Sequence, residues 1–152
     1  MQISPAGLAL IKAYEKCRLA PYPDSAGRPT IYWGHLIRPG ETFNGTQEEA
    51  DAILQRDTDF ASKAVGATTR GLTQDQFDAL CCFCFNVGSE EFLHSTLLKF
   101  VQMGAMREAA DEFHKWDHQR DPKTHALVEV NGLLKRREAE RNLFLGQPWS
   151  PP

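Results

Sequence analysis

The chain has 152 residues, 41% of them hydrophobic, with a formal net charge of −3. At this length roughly 70% of the unfolded surface can be buried, enough for a core of its own. No apolar run approaches the ~20 residues of a membrane span, and no basic stripe suits nucleic acid, so stable membrane insertion and a nucleic-acid partner are both excluded.

In chain order, the first segment, Met1 to Cys17, carries Lys12, Glu15 and Lys16 within an apolar pattern and has no small-residue cleavage site. It reads as neither a secretory signal nor an anchor, so synthesis in the cytoplasm is expected, with any target outside it reached by another route. It reads instead as a helix, with Ser4 as N-cap, Pro5 at the first helical position and Ile3 and Leu8 at the spacing of a hydrophobic staple. Leu8, Ile11 and then Tyr14 or Glu15 share a face, and the helix is expected to end near Cys17 to Leu19.

From Leu19 to Ile37 the prolines at 21, 23 and 29 and the glycines at 27 and 34 exclude a helix. Thr30 to Trp33 reads as a strand and Pro23 to Gly27 as the turn before it, giving a small antiparallel sheet. Thr46 to Glu49 is a capping box that opens a long helix through Ala50, Ile53, Leu54, Asp57 and Ala61 to about Val65. A second box, Thr73 to Gln76, opens a strongly apolar helix that Gly88 stops. Ser95 caps a short helix to Met103, Gly104 precedes another from Ala105 to about Trp116, and Leu133 to Leu145 forms the last. The segment from Asp117 to Asn131 reads as loop or frayed turn.

The predicted class is α+β and mostly helical: a helix-plus-antiparallel-sheet lobe, a long helix, then a compact helical lobe, with a cleft between the lobes. The cysteines at 17, 81, 82 and 84 are too crowded for a disulfide framework and lack the paired spacing of a zinc site. Buried free thiols are expected, with no metal. The basic run Lys135, Arg136 and Arg137, followed by Glu138 and Glu140, has the spacing of a salt-bridged helix face rather than a phosphate grip.

The chemistry concentrates in the first lobe. Glycoside hydrolysis uses two carboxyl groups in different environments, one kept protonated beside apolar surface and one kept ionised in a polar setting. Glu15, beside Tyr14 and backed by Ile11, suits the first role, and Asp24, in a Pro/Ser/Gly turn, suits the second. Thr30 offers a hydroxyl that could hold a water. Each residue alone also has an ordinary reading, Asp24 as a turn residue and Thr30 as a strand threonine.

Leu10 to Leu19, Tyr22 to Gly27, and Thr30-Ile31 with Gly34-His35 together resemble the phage-type lysozymes, the T-even and lambdoid endolysins of glycoside hydrolase family 24. The resemblance continues through Leu72 to Leu80, Phe85 to Gly88 and Ser95 to Leu98, and ends with Gly132-Leu133 and Arg136 to Phe144. It implies one lysozyme-like domain over residues 1–152, with lobes at about 14–65 and 66–146 plus the N-terminal helix. It implies a muramidase that cleaves the β-1,4 bond between N-acetylmuramic acid and N-acetylglucosamine with inversion, without cofactor. Glu15 then matches the catalytic acid, Asp24 the second carboxylate and Thr30 the residue beside the attacking water, with the carboxyl groups roughly 6.5–9.5 Å apart. His35 matches the family's histidine with Asp57 as its ion-pair partner, and Arg136, ahead of Arg137, is expected to approach Glu15. Leu36, Phe85 and Ser95 fall at cleft positions, although Phe85 also reads as core and Ser95 as a helix cap. Glu112 is a weaker cleft candidate that reads rather as an exposed helix residue.

Two departures stand out. Tyr32 and Trp33 occupy positions where the family has glycine and then an aromatic or aliphatic residue, so Tyr32 is expected at the floor of the site, stacking on sugar or filling the cleft. The sequence pI near 5.9 removes most of the electrostatic steering toward an anionic wall. The expected partner is the glycan strand of peptidoglycan in the periplasm or cell wall, met by a monomer. Holin-dependent release of an endolysin, or export of an antibacterial effector on a secretion-system carrier with an immunity protein, would each bring it there. The rival readings are a peptidoglycan-binding module on a lysozyme fold with attenuated turnover, and a lytic transglycosylase, against which the retained Asp24 and Thr30 count.

Overall fold

The computed structural model describes residues 1–24, 26–120 and 126–152; Ser25, within the expected 23–27 turn, and residues 121–125 of the 117–131 segment lie outside the described residues. Helix α1 (Pro5–Tyr14) begins as its sequence requires, with the Ser4 hydroxyl accepting from the Ala6 N–H. Ser4 also ties this end of the helix to α4 (Gln74–Val87), because its N–H and its hydroxyl both donate to the carboxylate of Asp78. Asp78 is fully buried and accepts a further bond from Gln74 Nε2 at 2.8 Å, so its charge is well satisfied. The two helices approach closely at Gly7, where a Cβ would come within 2.7 Å of Ile3 Cγ1 and 3.0 Å of Asp78 Cβ.

Helix α1 stops at Tyr14, short of the expected end near Cys17 to Leu19. Glu15 already has extended backbone (φ −98°, ψ 137°), and its N–H closes the helix onto the Ile11 carbonyl. Strand pairing claims the residues that follow. Strands β1 (Arg18–Pro23), β2 (Pro29–Tyr32) and β3 (His35–Leu36) form an antiparallel sheet in that order, with Tyr22 opposite Thr30 and Ile31 opposite His35. Pro21 and Pro23 are tolerated in β1 because it is an edge strand, and its pairing is irregular between Arg18 and Tyr22.

The β2–β3 connection turns at Tyr32, whose φ of +57° is the left-handed conformation that glycine adopts most freely. Tertiary contacts hold the residue there. Its ring is fully buried with Ile31 and Ala50, lies edge-on to Phe43 at 5.6 Å, and its hydroxyl donates to Glu49 and accepts from the Gly45 N–H at 2.9 Å. Glu49 is therefore not the reciprocal half of the expected capping box. Thr46 accepts from the Glu49 N–H, but the Glu49 carboxylate turns to Tyr32 and to the Asn44 N–H.

The expected long helix is two, α2 (Gln47–Asp57) and α3 (Asp59–Thr68), meeting at Thr58. The Thr58 hydroxyl donates back to the Gln55 carbonyl at 2.8 Å, a bond that competes with the helical ladder and bends helices. Helix α4 shows both halves of its capping box and ends at Gly88 (φ +95°). A short helix α5 (Ser89–His94), not anticipated, leads into α6 (Thr96–Gln102) and α7 (Met106–Glu112), with a tighter turn over Phe113–Trp116. Around the undescribed 121–125, the segment expected as loop pairs as strands β4 (His118–Arg120) and β5 (Leu127–Glu129) before α8 (Asn131–Phe144).

Helix α4 is the centre of the helical core, buried continuously from Phe77 to Cys84. Phe83 meets Phe92, Phe113 and Trp116 at steep angles between rings 5.2–6.5 Å apart. Each such ring contributes about 1.5–3 kcal/mol by burial. Cys81, Cys82 and Cys84 are free thiols buried in this core, and burial pushes Cys81 up to about 12 and Cys84 to about 11. Trp33 packs against both this core and the small one under the sheet.

Gly7→Ala, although a better helix former, is expected to destabilise the protein by about 1–2 kcal/mol through overpacking at the α1–α4 contact. A denaturation midpoint at or above that of the wild type would show that Ile3 and Asp78 can give way.

Candidate active site

A cleft of about 1120 Å³ runs beside the sheet, lined by Glu15, Asp24, Thr30, Trp33, His35 and Leu36 on one part of its surface and by Phe60, Lys63, Phe85 and Asn86 from α3 and α4. Glu15 enters because α1 ends one residue before it and extended backbone carries its side chain off the helix. Its Oε1 accepts from Arg136 Nη1 on α8 at 2.7 Å. Its Oε2 has no hydrogen-bond partner among the described residues and faces Gly34, where a Cβ would lie 3.9 Å away. One oxygen is anchored and the other is left to the cleft.

Arg136 continues into a buried network. Its Nε donates to Glu140 Oε1 at 3.2 Å, and Arg137 Nη2 donates to the same oxygen at 3.0 Å and to Asn86 Oδ1 at 2.7 Å. The residues read as a salt-bridged face are thus largely interior: Arg137 and Glu140 are fully buried, and Arg137 lies over the Phe83 ring at 5.1 Å. Helix α8 turns this face to α4, where Phe83 and Asn86 receive it. Burial disfavours the charge on Arg136, but the Glu140 and Glu15 carboxylates more than offset it, so its pKa is raised.

Asp24 sits in a different environment. Oδ1 accepts from the N–H groups of Ala26 and Arg28, each at 2.8 Å, and Oδ2 from Arg28 Nε at 2.8 Å. The Arg28 backbone N–H above all, with the Arg28 side chain and the Ala26 N–H, holds this carboxyl below the usual range and keeps it ionised. Thr30, 2% exposed on the cleft wall, donates its hydroxyl proton to the Arg28 carbonyl at 3.0 Å, which leaves its oxygen as an acceptor.

His35 is clamped between two carboxylates, with Nδ1 2.6 Å from Asp57 Oδ2 and Nε2 3.0 Å from Glu41 Oε2. The Arg38 backbone N–H and then His35 hold Glu41 below the usual range. Both ring nitrogens are occupied, so the histidine ties β3 to α2 and to the loop after the sheet. Sequence spacing carried no sign of Glu41 in this clamp.

Two residues expected to line the cleft do not. Tyr32 is fully buried beneath the sheet, because its left-handed backbone directs the ring to Phe43 and Glu49. Ser95 is 3% exposed and outside the cleft, its hydroxyl donating to the Phe92 carbonyl and accepting from the Leu98 N–H as the cap of α6. Glu112 is buried and paired with Lys115 rather than exposed. Leu36, 40% exposed, and Phe85 do line the cleft. Beside Phe85 stands Phe60, which the sequence reading missed, stacked at 6.2 Å and 23° and still 42% exposed. Its signal was an aromatic in the polar run Asp57-Thr58-Asp59.

With this geometry in view, comparison with known proteins gives a consistent result. Residues 12–140 match the phage lysozyme family. The chain is 40% identical over 147 residues to the endolysin of Acyrthosiphon pisum secondary endosymbiont phage 1, covering 95% of this chain and 98% of that protein. It is 36% identical over 153 residues to the endolysin of Salmonella phage P22, covering 95% and 99%. The solved muramidase domain of SpmX from Asticaccaulis excentricus is similar with a TM-score of 0.87 at 37% identity, covering 95% of this chain and 97% of that one. Since the matched span runs from α1 through the sheet and cleft to Glu140 on α8, the chain belongs to the phage lysozyme family.

Proposed function

We infer that this chain hydrolyses peptidoglycan as a muramidase, cutting the β-1,4 bond between N-acetylmuramic acid and N-acetylglucosamine with Glu15 as proton donor. The observation that carries the assignment is the contrast between two carboxyl groups in one cleft. Glu15 is pinned through Oε1 with Oε2 open, while Asp24 is held ionised by three donors. In the reaction, Glu15 gives its proton to the glycosidic oxygen as the bond to the anomeric carbon breaks. A water adds at that carbon from the other face and passes its proton to the Asp24 carboxylate, inverting the centre. The Thr30 oxygen accepts a hydrogen bond from that water and orients it. His35, with Asp57 and Glu41, supports the strand from which Leu36 contacts the glycan.

Phe60 and Phe85 offer an apolar platform for a sugar face, with Trp33 held by its Nε1–H bond to Asp51 at 3.0 Å. The reading as a binding module rested on Tyr32 and Trp33 obstructing the cleft; Tyr32 is buried beneath the sheet, whereas Trp33 does line the cleft, where it leaves room for the open Glu15 oxygen. The described residues include no helix long and apolar enough to cross a membrane. Holin-dependent release of an endolysin would bring this chemistry to the wall. Export of an antibacterial effector would use the same chemistry.

Purified peptidoglycan digested by the wild type is expected to release muropeptides with reducing muramic ends, and Glu15→Gln none. Anhydromuramic ends would assign a transglycosylase instead, and no products from folded wild type would leave a binding module. Phe60→Ala is expected to raise KM about tenfold with little change in kcat, the loss of one aromatic contact; an unchanged KM would remove Phe60 from the glycan site.

The pH profile tests Asp24. A carboxyl held below the usual aspartate range by native hydrogen bonds stays ionised as pH falls into that range, so the acid limb of activity is expected below it. Arg28→Gln is expected to move that limb upward by part of the depression only, since the backbone donors remain; no movement would separate Asp24 from the acid limb.

A further inference from the structure

Behind Glu15 lies a group of buried charges larger than its anchoring requires. Arg136 alone would hold Glu15 Oε1, at 2.7 Å, yet it also donates to Glu140 Oε1 at 3.2 Å, and Arg137 reaches that oxygen at 3.0 Å. Arg136, Arg137 and Glu140 are 4%, 0% and 0% exposed. Among the described residues, Glu140 Oε2, Arg136 Nη2, and Arg137 Nε and Nη1 have no hydrogen-bond partner. The charges here are balanced chiefly against one another rather than by neutral groups, in surroundings where Coulomb interactions are strong.

The groups facing this cluster are few. Tyr14 and Glu15 come from the end of α1, and Cys82 and Asn86 from α4. Burial pushes the Cys82 thiol well up, so it stays neutral. His114, beyond α7, and Asp111 on α7 pair instead with Glu138 and Arg141 on α8. Burial pushes the Glu140 carboxyl up, and Arg137 and Arg136 oppose that rise. With Glu140 ionised, the two guanidiniums and the carboxylates of Glu15 and Glu140 make a neutral set when Glu15 is ionised and a set of net +1 when Glu15 carries its proton. Without Glu140 the protonated state would carry two uncompensated buried positive charges beside the group that must keep a proton.

We propose that Glu140 is a positioning residue of this active site: through Arg136 it fixes the guanidinium that grips Glu15, and its charge cancels one of the two buried positive charges beside that carboxyl. The proposal rests on Glu15 as the acid. Glu140 touches neither substrate nor the reacting atoms and acts only through Arg136.

The test is the pH dependence of kcat/KM on soluble glycan fragments for Glu140→Gln, which keeps shape and one acceptor but loses the charge. The alkaline limb is expected to move down by about one pH unit, with folding checked by near-UV circular dichroism. A folded Glu140→Gln enzyme whose alkaline limb stays in place, whatever its stability, overturns the proposal. Should that variant not fold, Arg137→Gln, which removes positive charge from the same set, is expected to move the limb upward, and an unmoved limb there overturns it equally. Glu15→Gln run in parallel separates the two readings: activity surviving in it would end the assignment of Glu15, whereas an inactive Glu15→Gln with an unmoved Glu140→Gln limb would end only the role of Glu140.

Discussion

The hydrogen bond from Arg136 to Glu15, 2.7 Å long, joins the last helix to the end of the first across 121 residues of sequence. Much of the architecture serves to make that contact possible. Helix α1 must lie close on α4, which the missing side chain at Gly7 and the Ser4–Asp78 bonds allow. Helix α8 must lie on α4 from another direction, turning Arg137 over Phe83 and toward Asn86. Both packings converge on the apolar helix at the centre of the core. A guanidinium buried to this depth requires carboxylate partners, and among the described residues Glu15 is one of two that it has.

The sheet solves a separate problem, the placement of a second carboxylate in polar surroundings. Asp24 uses its own turn for this, since the Ala26 and Arg28 N–H groups are local donors that any correctly formed turn supplies. The two carboxyl groups differ because of what each is built against. Glu15 meets a charge brought by a remote helix, whereas Asp24 meets backbone donors within four residues. Glu15 is left with one oxygen open to the cleft, whereas both oxygens of Asp24 accept hydrogen bonds.

Tyr32 shows how the fold absorbs a departure from the family pattern. A left-handed backbone conformation at a residue other than glycine carries a conformational cost. Here ring burial, the edge-on contact with Phe43 and the hydroxyl's two hydrogen bonds hold the residue in place. The consequence reaches Glu49, which leaves its capping role to receive the phenol. The side chain that sequence comparison placed at the floor of the cleft instead forms part of the core beneath it.

What could be read from the chain alone was whatever depends on local chemistry. The caps at Ser4, Thr46, Thr73 and Ser95, the Gly88 stop, the apolar face of α4 and the Asp24 turn all arise from residues within a few positions of one another. Ordered motifs at family spacing then carried the reading to Glu15, Asp24, Thr30, the His35–Asp57 pair and Arg136. What needed the tertiary structure was every feature decided by competition between local and remote partners. The early end of α1 followed from strand pairing of Arg18, the division of the long helix is seen at the Thr58 hydroxyl, and the inward turn of Tyr32 depended on Glu49, Gly45 and Phe43. The spacing of Arg136, Arg137 and Glu140 announced salt bridges, but the same spacing serves a wet helix face and a buried one. Only the packing of α8 on α4 decided that these charges lie inside, because burial is a property of what covers a helix and not of the helix's own sequence.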